Sequence, residues 1–294
     1  MSKRNRFLLP VLLASFLLLP TAVFSQDGEE WDARLTDVSG EVTVYSAGSK
    51  DAEGDPAEKD MPLEPGDRVV TGEDSTAEIS LEGDSVISLR ANSNFTLSAT
   101  RRSDSIFRLE AGSLLAWLKS SLLSEGGGRK WRINTPTAVA AVRGTQFAVE
   151  VAANGEPETH VGVFDEGRVE VSEGSTGQTE MLLANQETRV NRGRRPEAAS
   201  VLKRFKRHRN FMRGMGRRGQ VLKKGWKSLQ PEQRRKLRQE LVKKAHERRR
   251  QRLERLKEKR QKTRPQGGEK RLRADQEKME KRRQEFLRRK RQGQ

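Results

Sequence analysis

The 294-residue sequence contains no cysteine, which excludes disulfides, thiolate zinc sites and a lipid-attachment cysteine. Aromatic residues make up only 5% of the chain. The tryptophans at 31, 117, 131 and 226 are too scattered to form a legible stacking platform, so packing is their default role. The three histidines, His160, His208 and His246, lie far apart, and none has a second ligand at metal spacing. No serine occupies a Gly-x-Ser-x-Gly turn, and no pair among the many acids stands out as general acid and base. No catalytic, metal-binding or cofactor-binding residue is therefore assigned, and neither enzymatic activity nor a cofactor is expected. Beyond the first residues, no run is long and apolar enough to cross a membrane as a helix.

Those first residues have a recognisable pattern. Lys3, Arg4 and Arg6 precede an apolar run, Phe7 to Leu19, broken only by Pro10 and Ser15. About 20 residues are required for a helical span, so the run reads as a secretory signal over 1–25, with Val23 and Ser25 placing cleavage after Ser25. The expected location is outside the inner membrane, periplasmic or extracellular. The net charge of +18 is divided unevenly. Residues 196–294 hold 38 Lys+Arg against 11 Asp+Glu, or +27, whereas 1–195 hold 21 against 30, or −9. Such a split predicts two regions with different partners, 26–195 and 196–294, and the change of composition after "NRGRRP" marks the boundary.

From about Arg34 to Val190 the chain consists of short β-prone stretches separated by Gly, Asp and Asn. "GEVTVY", "TAEISL", "SVISL", "NFTL", "SIFRL", "KWRI", "QFAVEV", "THVGVF" and "RVEV" succeed one another without alternating helices. The pattern predicts a mainly β domain of many short strands. "LEPGD" (63–67), "LEGD" (81–84), "LEAGS" (109–113) and "FDEGR" (164–168) each read as a corner between strands. Their irregular spacing argues against a strict repeat and for a twisted roll or loosely solenoidal sheet. "LLAWLKSSLLSEGGG" (114–128) is read as a strand through Trp117 followed by a loop through Gly126–Gly128.

The run "INTPTAVAAVRGTQFAVEV" (133–151) poses a question, because Arg143, Gly144 and Thr145 interrupt an apolar strand. Strict alternation from Val139 puts Arg143 on the apolar face, where an unpaired guanidinium is prohibitive. Either Arg143 meets a carboxylate inside, or Gly144 is a bulge that reverses the alternation and turns Arg143 outward.

With "GEVTV" (40–44), "LEPGDRVVTGEDSTAEISLEGDSVISLRANSNFTL" (63–97), "FRLEAGSLLA" (107–116) and "HVGVFDEGRVEV" (160–171) in order, this run resembles FecR-type domains over residues 38–190. Gly66, Asp67, Thr71, Gly72, Thr135, Pro136, Arg143, Gly144, Thr145 and Gly167 match motif positions of that family. The resemblance implies framework roles for them in a β-rich extracytoplasmic module of roll or solenoid-like form. It also implies a regulatory relative, but a secretory signal stands where classical regulators carry a cytoplasmic sigma-factor segment and an anchor. The primary expectation is a non-enzymatic exported module that binds an envelope protein or glycan. The alternative is a signalling protein that relays an extracellular state to a membrane partner or a sigma-factor system.

The basic region 196–294 reads as an exposed, partly formed helical tail. Pro231 and Glu232 suit a helix start, and "PQGG" (265–268) ends that helix before a second through 269–291. Leu237, Leu241, Ala245, Leu253 and Leu256 make a thin stripe, and Leu272, Met279 and Phe286 recur every seven residues among charges, short of a coiled-coil seam. "GMGRRG" (214–219) fits Gly-x-Gly-x-x-Gly, but a basic helical pattern precedes it instead of a strand, so it is read as a flexible break between helices. A charge of +27 predicts salt-sensitive attachment to an anionic polymer or membrane surface. Base-specific nucleic-acid recognition is not expected.

Overall fold

The computed structural model describes residues 32–48, 54–82, 85–101, 104–119, 130–152, 155–263 and 267–292. The expected secretory signal and the loop through Gly126–Gly128 lie outside the described residues. Among those described, seventeen strands form one continuous hydrogen-bonded sheet folded into two layers around a single core. The layers share one long strand, β9 (Asp104–Leu118). The first layer runs β4 (Pro62–Leu63), β1 (Ala33–Ser39), β6 (Thr76–Leu81), β7 (Ser85–Leu89), the end of β9, β12 (Thr145–Ala152), β13 (Glu158–Val163), β16 (Gln186–Asn191) and β17 (Ser200–Val201). The second runs β3 (Asp55–Pro56), β2 (Val42–Tyr45), β5 (Arg68–Thr71), β8 (Asn94–Thr100), the start of β9, β10 (Lys130–Asn134), β11 (Ala138–Val142), β14 (Arg168–Glu173) and β15 (Thr179–Leu183). Every pairing is antiparallel except β9 with β10. The mainly β expectation thus stands, as a roll.

The chain changes layer repeatedly, and this explains the glycine-marked corners. "LEPGD" turns between β4 and β5, and "FDEGR" between β13 and β14. "LEAGS" does not end a strand: β9 continues through it, bending from the second layer into the first at Gly112. There φ is +86°, and a Cβ would stand 2.4 Å from the Cα of Ser93. Glycine is required on both counts.

Arg143 is resolved the same way. Ala138, Ala140 and Val142 point into the core from β11, and Phe147, Val149 and Val151 from β12. Arg143 is exposed, and Gly144 between the two strands has φ +92°. The alternation reverses as the bulge reading required, although the interruption is a full corner carrying the chain from the second layer to the first. Arg143 points outward because the backbone turns beneath it.

Helix α1 (Arg209–Gly225) covers the outer face of the first layer, after a single 3-10 turn at Lys206–His208. All five residues of β7 are buried, because one side faces the core and the other faces α1. Val86, Leu115, Ala148 and Phe164 from the sheet form a second cluster with Leu202, Phe205, Met212 and Met215. Each large side chain buried there contributes about 1.5–3 kcal/mol as an upper estimate. "GMGRRG" is not a break, since α1 runs unbroken through it. Gly216 and Gly219 lie against the Trp117 indole, where a Cβ on Gly219 would come within 2.5 Å of the ring. The small residues let helix and sheet approach, and the helix covers the tryptophan.

Helix α2 (Pro231–Thr263) starts at the expected proline with Glu232 in its first turn, and α3 (Gly267–Gln292) comes next. The first half of α2 lies along edge strands β3 and β4, with Ala245 buried and Leu241 and Val242 against the core. Packing therefore runs across the expected boundary at 195/196. Exposed side chains become the rule later, over 251–259 and 275–288.

Candidate functional site

The ten motif residues lie at four corners, each held by its own hydrogen bonds. Thr71 Oγ1 donates to Arg90 O at 2.6 Å and accepts from Ser93 N at 2.8 Å, while Asn92 N donates to the carbonyl of Gly72 at 3.0 Å. Thr135 Oγ1 accepts from Ala138 N at 2.9 Å and meets Thr159 Oγ1 at 2.8 Å, which closes the turn containing Pro136. Thr145 Oγ1 donates to Glu166 O, and a Cβ on Gly167 would lie 2.3 Å from that same hydroxyl oxygen. The Arg143–Gly144–Thr145 turn and the Gly167 turn are thus packed into one corner, the third. The fourth corner, Gly66–Asp67, reaches the tail. Buried Asp67 accepts from Glu64 N at 2.8 Å and Ala47 N at 3.2 Å, and pairs with Arg238 of α2.

Beyond this corner, the basic segment meets the acidic domain at points from Arg204 to Arg248. Arg204 pairs with Glu150 at 2.7 Å, Arg213 with Asp165 at 3.1 Å and Arg218 with Glu78 at 3.1 Å. Further on, Arg234 pairs with Glu64 at 3.3 Å and Arg248 with Glu58 at 2.9 Å. Burial, which would raise the Glu150 carboxyl, is outweighed by the hydrogen bond and charge of Arg204 together with the charges of His160 and Arg207, and its pKa falls below the ordinary value. At Glu64 burial prevails over Arg234 and the pKa rises. The linker is pinned as well: Leu229 N donates to Asp32 Oδ2 at 3.0 Å, Arg34 Nη2 donates to Lys227 O at 2.6 Å, and the Arg34 guanidinium stacks 4.5 Å from the Trp226 ring. Exposed pairs contribute little singly, so the apolar seam and the buried Asp67 pair dominate this clasp.

Two concavities flank these features. A groove of about 670 Å³ lies between the first layer and α1, lined by Ala77, Ser88, Phe211, Val221 and Leu222 with Arg90, Arg217 and Arg218. None of the ten motif residues lines it. A second groove, of about 400 Å³, lies on the outer face of the second layer and includes Arg143, Arg132, Arg168, Glu170 and Met181. The motif corners therefore do not converge on one pocket; Arg143 alone of the ten reaches this groove.

Residues 67–174 match the family model described as FecR protein. Residues 67–174 are thus a FecR-type stretch of the chain. No curated protein matches the chain. Two crystal structures of a protein from Parabacteroides distasonis, described as a candidate anti-sigma factor, are 18% identical, with a TM-score of 0.39. They cover 47% of this chain, which spans 61% of theirs. The FecR match ends just past β14, so β15 to β17 and the docked helices lie beyond the matched residues.

Sequence reasoning missed the seam around Trp117. Its signal was Met212, Met215, Gly219 and Leu222 at helical spacing. The glycines of "GMGRRG" read as a break, because no local rule indicates an indole about 100 residues away. Among the described residues, no group of three His, Asp or Glu could hold a metal ion, and no helix is long and apolar enough to cross a membrane.

Glu173 joins the end of the FecR domain to the chain beyond β16. Its buried carboxylate accepts from Gly193 N at 2.9 Å, Thr176 N at 2.6 Å and Ser175 N at 2.8 Å, stapling the β14–β15 turn to the loop that carries Gly193. The backbone donors of Gly193 and Thr176 hold its pKa at about 2, against an ordinary 4.5. A depressed carboxylate pKa contributes stability that is complete above pH 4.5 and lost as pH falls toward 2. Urea denaturation at pH 6 and pH 3 is expected to show a larger loss for the wild type than for Glu173→Gln. Equal losses would remove Glu173 as the group responsible.

Proposed function

We propose that this is a non-enzymatic, exported FecR-domain module that binds an envelope partner through its β-roll. A distal basic arm attaches it to an anionic surface or polymer. The observation carrying this reading is the division of charge within the tail. Arg204, Arg213, Arg218, Arg234, Arg238 and Arg248 pair with carboxylates of the β-domain, whereas from Arg249 onward 20 Lys+Arg stand against 7 Asp+Glu. The described side chains of that arm, at 251–259 and 275–288, are exposed. A net charge of +13 in this arm attracts polyanions through counterion release. The roll supplies a scaffold whose motif residues other than Arg143 sit in its packed corners, which supports binding over chemistry.

The test is co-sedimentation with phosphatidylglycerol vesicles and, separately, retention on double-stranded DNA, between about 50 and 200 mM salt. Full-length protein is expected to lose at least about 100-fold in affinity over that range. Protein truncated after Arg248 is expected to bind neither at about 150 mM. Equal binding by the truncated protein defeats the arm's role.

The FecR match itself favours a second reading: a regulator that relays an extracellular state to a membrane partner or a sigma-factor system. Deleting the gene would then change the output of a sigma-factor-dependent reporter. An attachment module would leave that output unmoved.

A further inference from the structure

We propose that β15 is the docking edge of the roll, and that it takes an extended acidic peptide segment of a protein partner as an added strand. This rests on the binding-module reading and names the site and partner chemistry for it. The two layers have four edge strands. The first half of α2 lies against β3 and β4 at one end. At the other end β17 is a two-residue strand, and among the described residues β15 pairs only with β14.

The outward-facing groups on β15 are set by its register. Glu173 N donates to Gln178 O, so hydrogen-bonded pairs recur at Val171–Glu180 and Val169–Leu182. The backbone groups of Thr179, Met181 and Leu183 therefore face away from β14. Consistent with this, Leu183 N donates to the side chain of Gln186, 2.8 Å away. An open edge with outward N–H and C=O groups is a template for strand addition. The stretch is also apolar, with Met181 44% and Leu183 54% exposed.

The chemistry of the occupant is dictated by the residues beside the edge. Cross-strand register sets Arg132, Ala141, Glu170 and Met181 in one row, with Arg168 beside Leu183 in the next. Ala141 is small, and the groove of about 400 Å³ opens over it. Arg132 is paired with Asp104. Arg143 and Arg168 outnumber Glu170 in the same groove, leaving a positive excess next to the edge. An added strand places alternate side chains on this outer face, where carboxylates reach the guanidiniums. A basic strand would be repelled there. Arg143, turned outward by the Gly144 corner, thereby acquires a recognition role that a purely framework position lacks.

The experiment is fluorescence anisotropy with full-length protein and a labelled octapeptide alternating glutamate and valine, beside its lysine–valine counterpart. Saturable binding of the glutamate peptide is expected, with at least tenfold weaker binding of the lysine peptide. Methylating the peptide's alternate backbone nitrogens is expected to weaken binding tenfold or more. So is Met181→Pro, which removes an N–H facing away from β14 and leaves the β14 ladder intact. The double variant Arg143→Glu/Arg168→Glu is expected to do the same, with an unchanged thermal midpoint showing that the roll persists. Absence of saturable binding, indifference to methylation or to Met181→Pro, or equal binding of the lysine peptide overturns the assignment. A wild-type dimer that Met181→Pro dissociates in sedimentation also overturns it, and identifies a second copy as the occupant. The vesicle experiment reports the arm without touching β15, so either result can fail while the other stands.

Discussion

Valine at position 112 will destabilise the protein by about 4 kcal/mol or more. Gly112 has φ +86°, a conformation in which a β-branched residue is strained by about 1–3 kcal/mol. Its Cβ would also lie 2.4 Å from the Cα of Ser93 and 2.6 Å from the carbonyl oxygen of Asn92, both backbone atoms that cannot rotate aside. Relief requires separating two corners that are bonded to each other: Ser93 Oγ donates to Ser113 O at 3.1 Å and accepts from Ser113 N at 3.0 Å. The same strand carries the sheet from one layer into the other, so a local shift propagates into both. Gly177→Ala is the control. Its φ is +68°, but nothing lies within 4 Å of the added carbon, and only the conformational cost, about 1–2 kcal/mol, is expected. Urea unfolding of the two variants compares the effects. A Gly112→Val protein as stable as Gly177→Ala would refute the bend in β9.

Asp67→Ala is expected to cost about 3–5 kcal/mol, since removing one partner of a buried ion pair leaves its other groups uncompensated. Asp67 is 1% exposed and serves Glu64 N, Ala47 N and Arg238 together. Its loss opens the β4–β5 corner and frees the first half of α2. Trypsin is then expected to cut faster among Arg234, Arg235, Lys236 and Arg238 than in the wild type. Arg238→Ala is expected to cost less, because Asp67 keeps its two backbone donors. The double variant should resemble Asp67→Ala alone. Additive costs would show that the two side chains act independently and that α2 is not anchored there.

Several features could be read without coordinates. Alternation located β2, β6, β7, β8, β12, β13 and β14, since apolar residues at period two must face a common core. The short strands β4, β15 and β17 escaped because two to five residues carry too little pattern. The Arg143 alternatives were correctly limited to two, because burial of an unpaired charge excludes everything else. Deciding between them required the turn at Gly144, which depends on which layer each flanking strand joins. "LEAGS" misled for a related reason: a glycine that bends a strand and one that ends it look alike in sequence.

Sequence by itself determined the mainly β character, the corner residues and the sign of charge in each part, because these arise from side-chain chemistry and short-range spacing. Tertiary structure alone decided which cations of the tail pair with the β-domain, that Gly216 and Gly219 seat a helix on Trp117, and that among the described residues β15 has a strand partner on one side. The first two outcomes depend on contacts between residues far apart in the chain, from Arg213 with Asp165 to Arg248 with Glu58. No local propensity encodes such separations, since the free energy of each contact exists only once the two layers have closed.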